Sequence, residues 1–406
     1  MSESLIVVNA GSSSLKFNVY QLPKSATAHV DELAFLFGGQ VSGIGTDRAH
    51  FIVKGAVGQV LEDRALSLVQ AKNLHAAQDM LSIWLREHLS KPPIAVGHRI
   101  VHGGPRLKES VVIDETVLAY LEELAPLAPL HQQNNLAPVK VIRKHWPELV
   151  QVACLDTAFH AEQPALHKYY ALPQDYFDLG VRRYGFHGLS YQYITEYLQR
   201  HLPEQYQQRT VVAHLGSGCS ACMIQHGQSV ISTMGFTALD GLPMSTRPGQ
   251  LDAGVVLWGM QAQHKDADAI QDLLYNQSGL KGLSGLSGDM RTLLASEAVA
   301  AQRAIDYFAL RTAMGITELV VPTQGLDNLV FTAGVGENSP QVRARICEHL
   351  AWLGVEIDPE LNTQNATCIS TATSAIKVWV IPTNEELVIA RETLKRYHEQ
   401  RRNSDI

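Results

Sequence analysis

Several features that would narrow the role of this 406-residue chain are scarce or absent. No run approaches the roughly 20 uninterrupted apolar residues that span a bilayer, so no membrane partner is expected. The stretch Met1-Ser2-Glu3-Ser4-Leu5-Ile6 has no basic region, and the apolar run stops at Asn9, so it does not read as a signal peptide. The five cysteines are an odd number without framework spacing, which argues against a disulfide scaffold and for a reducing cytoplasm. Positive charge is short. With 33 Lys and Arg against 40 Asp and Glu, the net charge is −7, which disfavours nucleic acid and anionic membranes as partners. An anionic ligand must therefore meet locally concentrated arginine, lysine and backbone N–H groups. Neither G-x-x-x-x-G-K-[ST] nor G-x-G-x-x-G before a long helix occurs, which disfavours the P-loop and Rossmann arrangements.

What is present is a globular composition, 46% hydrophobic and 18% charged, in a chain long enough for two domains. Leu5-Ile6-Val7-Val8 is β-prone, Gly11-Ser12-Ser13-Ser14 is a turn, and Leu15 to Tyr20 alternates with period two, which together predict a hairpin. A β-rich stretch follows over 40–61, then a helix over 74–89 stopped by Lys91-Pro92-Pro93. Asp114 is placed to cap a helix running to about Leu124, with Ile113 and Leu118 as a hydrophobic staple. Ile94 to Val101 and Val150 to Leu155 read as buried strands. The pattern then restarts: Thr210 to Leu215 runs into Gly216-Ser217-Gly218, with 216 − 11 = 205 residues between the two Gly-Ser turns, about half the chain. That offset points to a duplicated fold with one phosphate loop in each half. Helices over 252–263, 266–276, 296–314, 340–352 and 385–401 are expected, with strands at Leu329–Thr332 and Lys377–Ile381. The alternation of strands and helices makes the class α/β.

Predicted strands end in polar clusters: Asn9, Arg99 within its strand, Asp156, residues 214–218, the 334–338 loop and Asn384-Glu385. Open α/β sheets bind ligands beyond the carboxyl ends of their strands, so these clusters are expected to converge. Glycine turns let backbone N–H groups approach oxyanions, with serine hydroxyls and Lys16 as further donors. Cys219 and Cys222, three apart on a predicted strand, point to opposite faces and read as core rather than a redox or metal pair.

Ordered motifs along nearly the whole chain carry a resemblance: Val8-Asn9-Ala10-Gly11-Ser12-Ser13-Ser14-Leu15-Lys16, Gly97-His98-Arg99-Ile100-Val101-His102-Gly103-Gly104 and Ala128-Pro129-Leu130-His131. They continue with Asp156-Thr157-Ala158-Phe159-His160, Arg183-Tyr184-Gly185-Phe186-His187-Gly188, Met234-Gly235-Phe236-Thr237, Phe331 to Asn338 and Pro382-Thr383-Asn384-Glu385-Glu386-Leu387. The chain resembles the acetate kinase family, within the superfamily of acetate and sugar kinases, chaperones and actin. The resemblance implies a duplicated, two-lobed, actin-like (ribonuclease H-like) α/β ATPase fold with a cleft between lobes. One lobe would comprise residues 1–152 with 387–406, carrying the first phosphate loop and the acid; residues 153–386 would bind nucleotide. It implies reversible transfer of the ATP γ-phosphoryl to acetate, with propionate also accepted, in a cytoplasmic homodimer.

Site residues follow from the same resemblance. Asn9 and Glu385 look like the magnesium site, with Mn2+ as a substitute ion; an amide, a carboxylate and waters suit a partly hydrated Mg2+. Alone, Glu385 would read as a first-turn helix carboxylate. Arg99 and Arg247 resemble the arginines that hold the acid carboxylate and the moving phosphoryl, for which guanidinium forks are suited. His131 and His187 resemble the histidines that stabilise the phosphoryl in transit. Asp156 resembles the family's essential acid. The acceptor is already ionised, so Asp156 is expected to orient a metal-bound water or the arginine rather than remove a proton. Val101, Leu130 and Phe186 would face the substrate methyl. Ser12, Ser14 and Lys16 would face the phosphoryl, and His214, Leu215, Gly216, Ser217 and Gly218 the nucleotide phosphates. Asp289, Met290 and Arg291, with Gly334, Val335, Gly336, Glu337 and Asn338, would flank adenosine. The chain departs from the common family pattern at Ser217, at Gln132-Gln133-Asn134 and at Ala238, the last a smaller residue that would admit propionate. Set against this are a chaperone-like ATPase, for which no long partner-binding domain is present, a propionate or butyrate kinase, and a pyrophosphate-dependent enzyme.

Overall fold

The computed structural model describes residues 3–11, 13–22, 33–129 and 131–404. The chain divides into two compact units, Met1–Phe159 with Asn384–Ile406, and His160–Thr383.

The first unit is built on an eight-stranded sheet of β1 (Ser4–Ala10), β2 (Ser14–Gln21), β3 (Ala34–Ser42), β4 (His50–Gly55), β5 (Val60–Ala65), β6 (Ala95–Ile100), β7 (Val111–Val112) and β8 (Val150–Leu155). Their order is β5-β4-β3-β2-β1-β6-β8-β7. Strands β1 to β5 form an antiparallel meander, while β1–β6 and β6–β8 are parallel. The central strand β1 is buried on both faces, which explains its unbroken Leu5-Ile6-Val7-Val8 run. Strand β2 alternates as its sequence predicts: Leu15, Phe17 and Val19 enter the core, and Lys16 is exposed. Asp114 does cap the helix Glu115–Glu123, accepting from the Val117 N–H, and Ile113 and Leu118 share one core. The helix Glu385–Ser404 lies on β1, β6 and β8. Gly97 makes that approach close enough: a Cβ there would overlap the Thr393 hydroxyl and an Ile389 methyl.

The second unit contains β9 (Thr210–Leu215), β10 (Cys219–Gln225), β11 (Gln228–Ser232), β12 (Asn328–Thr332) and β13 (Lys377–Val380), ordered β11-β10-β9-β12-β13. Here too the first three strands are antiparallel and the next two join in parallel. Five strands of the first sheet, β3-β2-β1-β6-β8, have the same order and sense. The duplication expected from the repeated Gly-Ser turns is therefore a duplication of topology. In each copy the turn after the first strand closes on itself, through Gly11 N to Ser14 O at 2.8 Å and Gly216 N to Gly218 O at 3.0 Å.

Some local expectations change. Residues 334–338 are not a loop but part of a short helix, Ala333–Asn338. Its glycines disguise it, and side chains hold it instead: Glu337 Oε1 accepts from the Ala333 N–H at 2.8 Å, and buried Arg343 donates to the Gly336 and Glu337 carbonyls. The helices Gln132–His145, with Pro138 inside it, and Gly188–His201 were not anticipated. Cys219 and Cys222 are both buried on β10 and unpaired, as a core reading requires.

Candidate active site

In the first unit, charged residues gather where β1, β6 and β8 end. Arg99 projects from β6, and Asp156 follows β8 directly, its N–H bonded to the Ile100 carbonyl. The Arg99 guanidinium grips Asp156 through Nη2 to Oδ2 at 2.6 Å and Nε to Oδ2 at 3.1 Å, and Arg99 Nε lies 3.9 Å from Glu385 Oε2. Asp156 is 1% exposed, whereas Arg99 keeps 21% of its side chain in contact with solvent. Burial by itself would lower the Arg99 pKa, but Asp156 and Glu385 outweigh it and hold the guanidinium charged. Of the roles expected for Asp156, the geometry supports the one on the arginine.

Glu385 opens its helix, and Asn384 Oδ1 caps that helix by accepting from the Leu387 N–H. Burial pushes the Glu385 carboxyl up to about 7; Arg99 and Lys16 oppose the rise, and Asp156 and Glu386 add to it. Asn9 is the register partner of Lys16 across β1 and β2, so both side chains leave the same face of the sheet. Among the described residues no group of three or more His, Cys, Asp or Glu could form a protein-only metal cage. Lys16 is close enough to Glu385 to oppose the rise of its pKa, and an amide with one carboxylate is a donor set that suits a cation keeping water and phosphate oxygens as its other ligands.

The segments carrying these groups are tied together by Asn135, which the motifs did not single out, and by Gln132 and Thr157, to which no role was given. Asn135, on the helix begun by His131, donates to the Ala10 carbonyl and accepts from the Val101 N–H. Gln132 Nε2 donates to the His102 and Leu121 carbonyls, and Thr157 Oγ1 accepts from the Gly103 N–H. Val101 is buried at the end of β6, and Ser14 sits at the β2 start. Ser12 and Leu130 lie outside the described residues.

In the second unit, the turn after β9 is the centre. His187, at φ 57°, leads the helix Gly188–His201; its Nδ1 is 2.8 Å from Ser220 Oγ, and its ring stacks on His214 at 4.1 Å. His214 Nδ1 is 2.8 Å from Ser190 Oγ, which donates to Thr383 Oγ1. Arg247 Nη1 donates to the Ala238 carbonyl at 2.7 Å. Arg247 and His187 both lean over Gly218, where a Cβ would come within 2.9 Å of Arg247 Nη2 and 3.1 Å of His187 Nε2. Phe186 is buried beside them in the chain.

Next to this turn is a cavity of about 550 Å³, a size suited to a nucleoside. Gly216 and Ser217 form one wall, Asp289, Met290 and Arg291 another, and Gly334, Val335 and Asn338 a third. Leu215, Gly336 and Glu337 do not line it. Leu215 is in the core, Gly336 is buried facing Phe331, Ala213 and Leu215, and the Glu337 carboxylate is used on the Ala333 and Thr383 N–H groups.

Comparison with known proteins agrees with this geometry. The chain is 50% identical to an acetate kinase of Nitrobacter hamburgensis over 392 residues, 97% of this chain and 96% of that protein. It is 48% identical to an acetate kinase of Rhizobium meliloti, covering 97% and 98%. A propionate kinase structure from Francisella tularensis superposes with a TM-score of 0.88 at 34% identity, covering 97% of this chain and 99% of that one. A Porphyromonas gingivalis acetate kinase structure gives 0.83 at 32% identity, covering 97% and 100%. The sequence profile of the Acetokinase family matches residues 4–391. With strand order, charged cluster and motifs in agreement over that span, the chain belongs to the Acetokinase family.

Proposed function

We propose that this protein transfers the γ-phosphoryl group of ATP reversibly to acetate, giving acetyl phosphate and ADP, and that it accepts propionate as well. The observation that carries the reading is the Arg99 fork, kept charged and fixed by buried Asp156 at the carboxyl ends of the parallel strands. A short carboxylate needs a cation that cannot be titrated away, and Arg99 supplies it. A carboxylate oxygen forms the new O–P bond while the bond from the γ-phosphorus to the β–γ bridging oxygen breaks. No proton is transferred, so the acceleration comes from alignment and charge neutralisation. Arg247 and His187 donate to the phosphoryl oxygens, as does His131, and Lys16 with Ser12 and Ser14 orients the phosphate chain. Val101, buried just past β6, would face the substrate methyl. The cavity of about 550 Å³ favours a nucleotide over pyrophosphate as donor.

Asn9 and Glu385 would hold Mg2+, or Mn2+ in its place. The ion would neutralise phosphate charge and fix the γ-phosphoryl for attack. We place the enzyme in the cytoplasm as a homodimer. Unpaired thiols support the first assignment, and the exposed Val255, Leu257, Trp258 and Met260 on the helix Ala253–Gln261 support the second.

A propionate kinase is the second reading, favoured by the small Ala238 beside Arg247. One added methylene is worth about 1–3 kcal/mol, so kcat/KM for the two acids should differ by no more than about 10- to 200-fold. Incubation with Mg-ATP, hydroxylamine and each of acetate, propionate and butyrate tests both readings. Hydroxamate should form from acetate and propionate, and none from any acid would overturn the assignment.

A further inference from the structure

We infer that Asn135 is a positioning residue that takes the place of a backbone rung beyond the end of the β1–β6 ladder and so sets the separation between the Asn9–Gly11 turn and the Arg99–Val101 segment. The inference rests on the proposed phosphoryl transfer for its functional meaning and on hydrogen-bond geometry for its structural content.

The parallel pair β1–β6 is in register from Leu5 with Ala95 to Val8 with His98, an offset of 98 − 8 = 90. Backbone groups in a strand face alternate sides. Gly11 N bonds Ser14 O toward β2, so the neighbouring Ala10 carbonyl faces β6. The Ile100 carbonyl accepts from Asp156 N toward β8, so the Val101 N–H faces β1. At an offset of 90, a ladder continued past Val8 and His98 would reach a bond from Val101 N to Ala10 O. It does not form directly. The Asn135 amide occupies it, with Nδ2 donating to Ala10 O at 2.7 Å and Oδ1 accepting from Val101 N at 3.0 Å.

All three residues are at most 4% exposed, so leaving either backbone group unpaired would be costly. Only a side chain with a donor and an acceptor on one planar group can fill a rung in this way. An inserted amide holds the two strand ends apart by its own width. It thereby spaces the proposed metal ligand Asn9 from Arg99, the proposed acid ligand. Neither charge nor contact with substrate is needed for this, so Asn135 acts through the backbone it separates.

Two variants separate the legs. Asn135→Asp keeps the acceptor for Val101 and loses the donor for Ala10. Its KM for acetate should stay within about threefold of wild type, while kcat falls about tenfold to hundredfold. Asn135→Ala removes both legs, and its acetate KM should rise about tenfold in addition to the loss in kcat. A crystal structure of Asn135→Ala should show the rung closed, with Ala10 O and Val101 N about 2.9 Å apart. Wild-type kinetic constants in the Asp variant, or strand ends left in their original positions in the Ala structure, would overturn the inference. If the Ala variant does not fold, the Asp variant still decides through its split between KM and kcat. If wild-type protein makes no acyl phosphate, the functional proposal fails, and the crystallographic outcome still decides the wedge.

Discussion

Replacing Asp156 with Asn tests how far the first charged cluster depends on one buried carboxylate. The wild-type oxygens accept from Arg99 Nη2 at 2.6 Å and Nε at 3.1 Å. An Asn side chain offers one oxygen and turns an NH2 group toward a cation that has only donors. At least one charge-assisted hydrogen bond is lost, about 1.5–3 kcal/mol, and breaking a buried pair reaches about 3–5 kcal/mol. Glu385 Oε2, 3.9 Å from Arg99 Nε, becomes the arginine's anionic partner and draws it out of position. At about 3 kcal/mol and 1.36 kcal/mol per decade, kcat/KM for acetate should fall roughly 150-fold. The assay is hydroxamate formation at varied acetate, with ADP binding measured by calorimetry alongside. ADP affinity should change by less than about twofold, because the residues lining the nucleotide cavity belong to the second unit. Turnover within about threefold of wild type in a folded Asp156→Asn protein would show that the carboxylate does not hold Arg99 for catalysis.

Three further outcomes follow from the structure. Gly218→Ala would drive a methyl into Arg247 Nη2 and His187 Nε2, at 2.9 and 3.1 Å, so hydroxamate formation should drop about tenfold or more while the circular dichroism spectrum stays unchanged. Arg343→Met removes the donor to Gly336 O, Glu337 O and Asn362, so ADP affinity should weaken and the melting temperature fall. Leaving buried carbonyls unpaired costs about 1–3 kcal/mol each, and an unchanged ADP titration would separate this clamp from the nucleotide cavity. Burial lowers His98 and His160 from 6.5 to about 4, so between those values the unfolded chain binds more protons than the folded one. Stability is then lost as pH falls through that window, by about 1.4 kcal/mol per pH unit for each histidine, and is unaffected by them above it. Glu385, raised to about 7, has the opposite sign and partly offsets the loss. Urea midpoints at pH 7 and pH 4.5 should therefore differ less in His160→Gln than in wild type, and equal differences would refute the assignment.

Much of the molecule was legible beforehand because local rules and tertiary needs agreed. The β1–β2 hairpin shows this, since alternation, the glycine turn and burial all select the same register. Asp114 capped its helix as its spacing required. The misses have physical causes. Helix Ala333–Asn338 has two glycines and begins at a positive φ, so propensity opposes it, and the side chains of Glu337 within it and Arg343 beyond it stabilise it instead. Helix Gln132–His145 contains Pro138, which reads as a break although seven inward residues hold the helix in place.

The sequence by itself determined the α/β class, the repeat and the residues that carry charge, because these depend on periodicity, turn chemistry and residue type. Tertiary structure alone decided which charges meet. Arg99 and Asp156 are 57 residues apart, and only the parallel pairing of β6 with β8 brings the carboxylate under the guanidinium. It also decided that Glu337 is used on backbone N–H groups and that Asn135 fills a rung between strands 125 residues away from it and 34 residues away. Such pairings depend on distance and direction in space, and one-dimensional spacing carries no record of either.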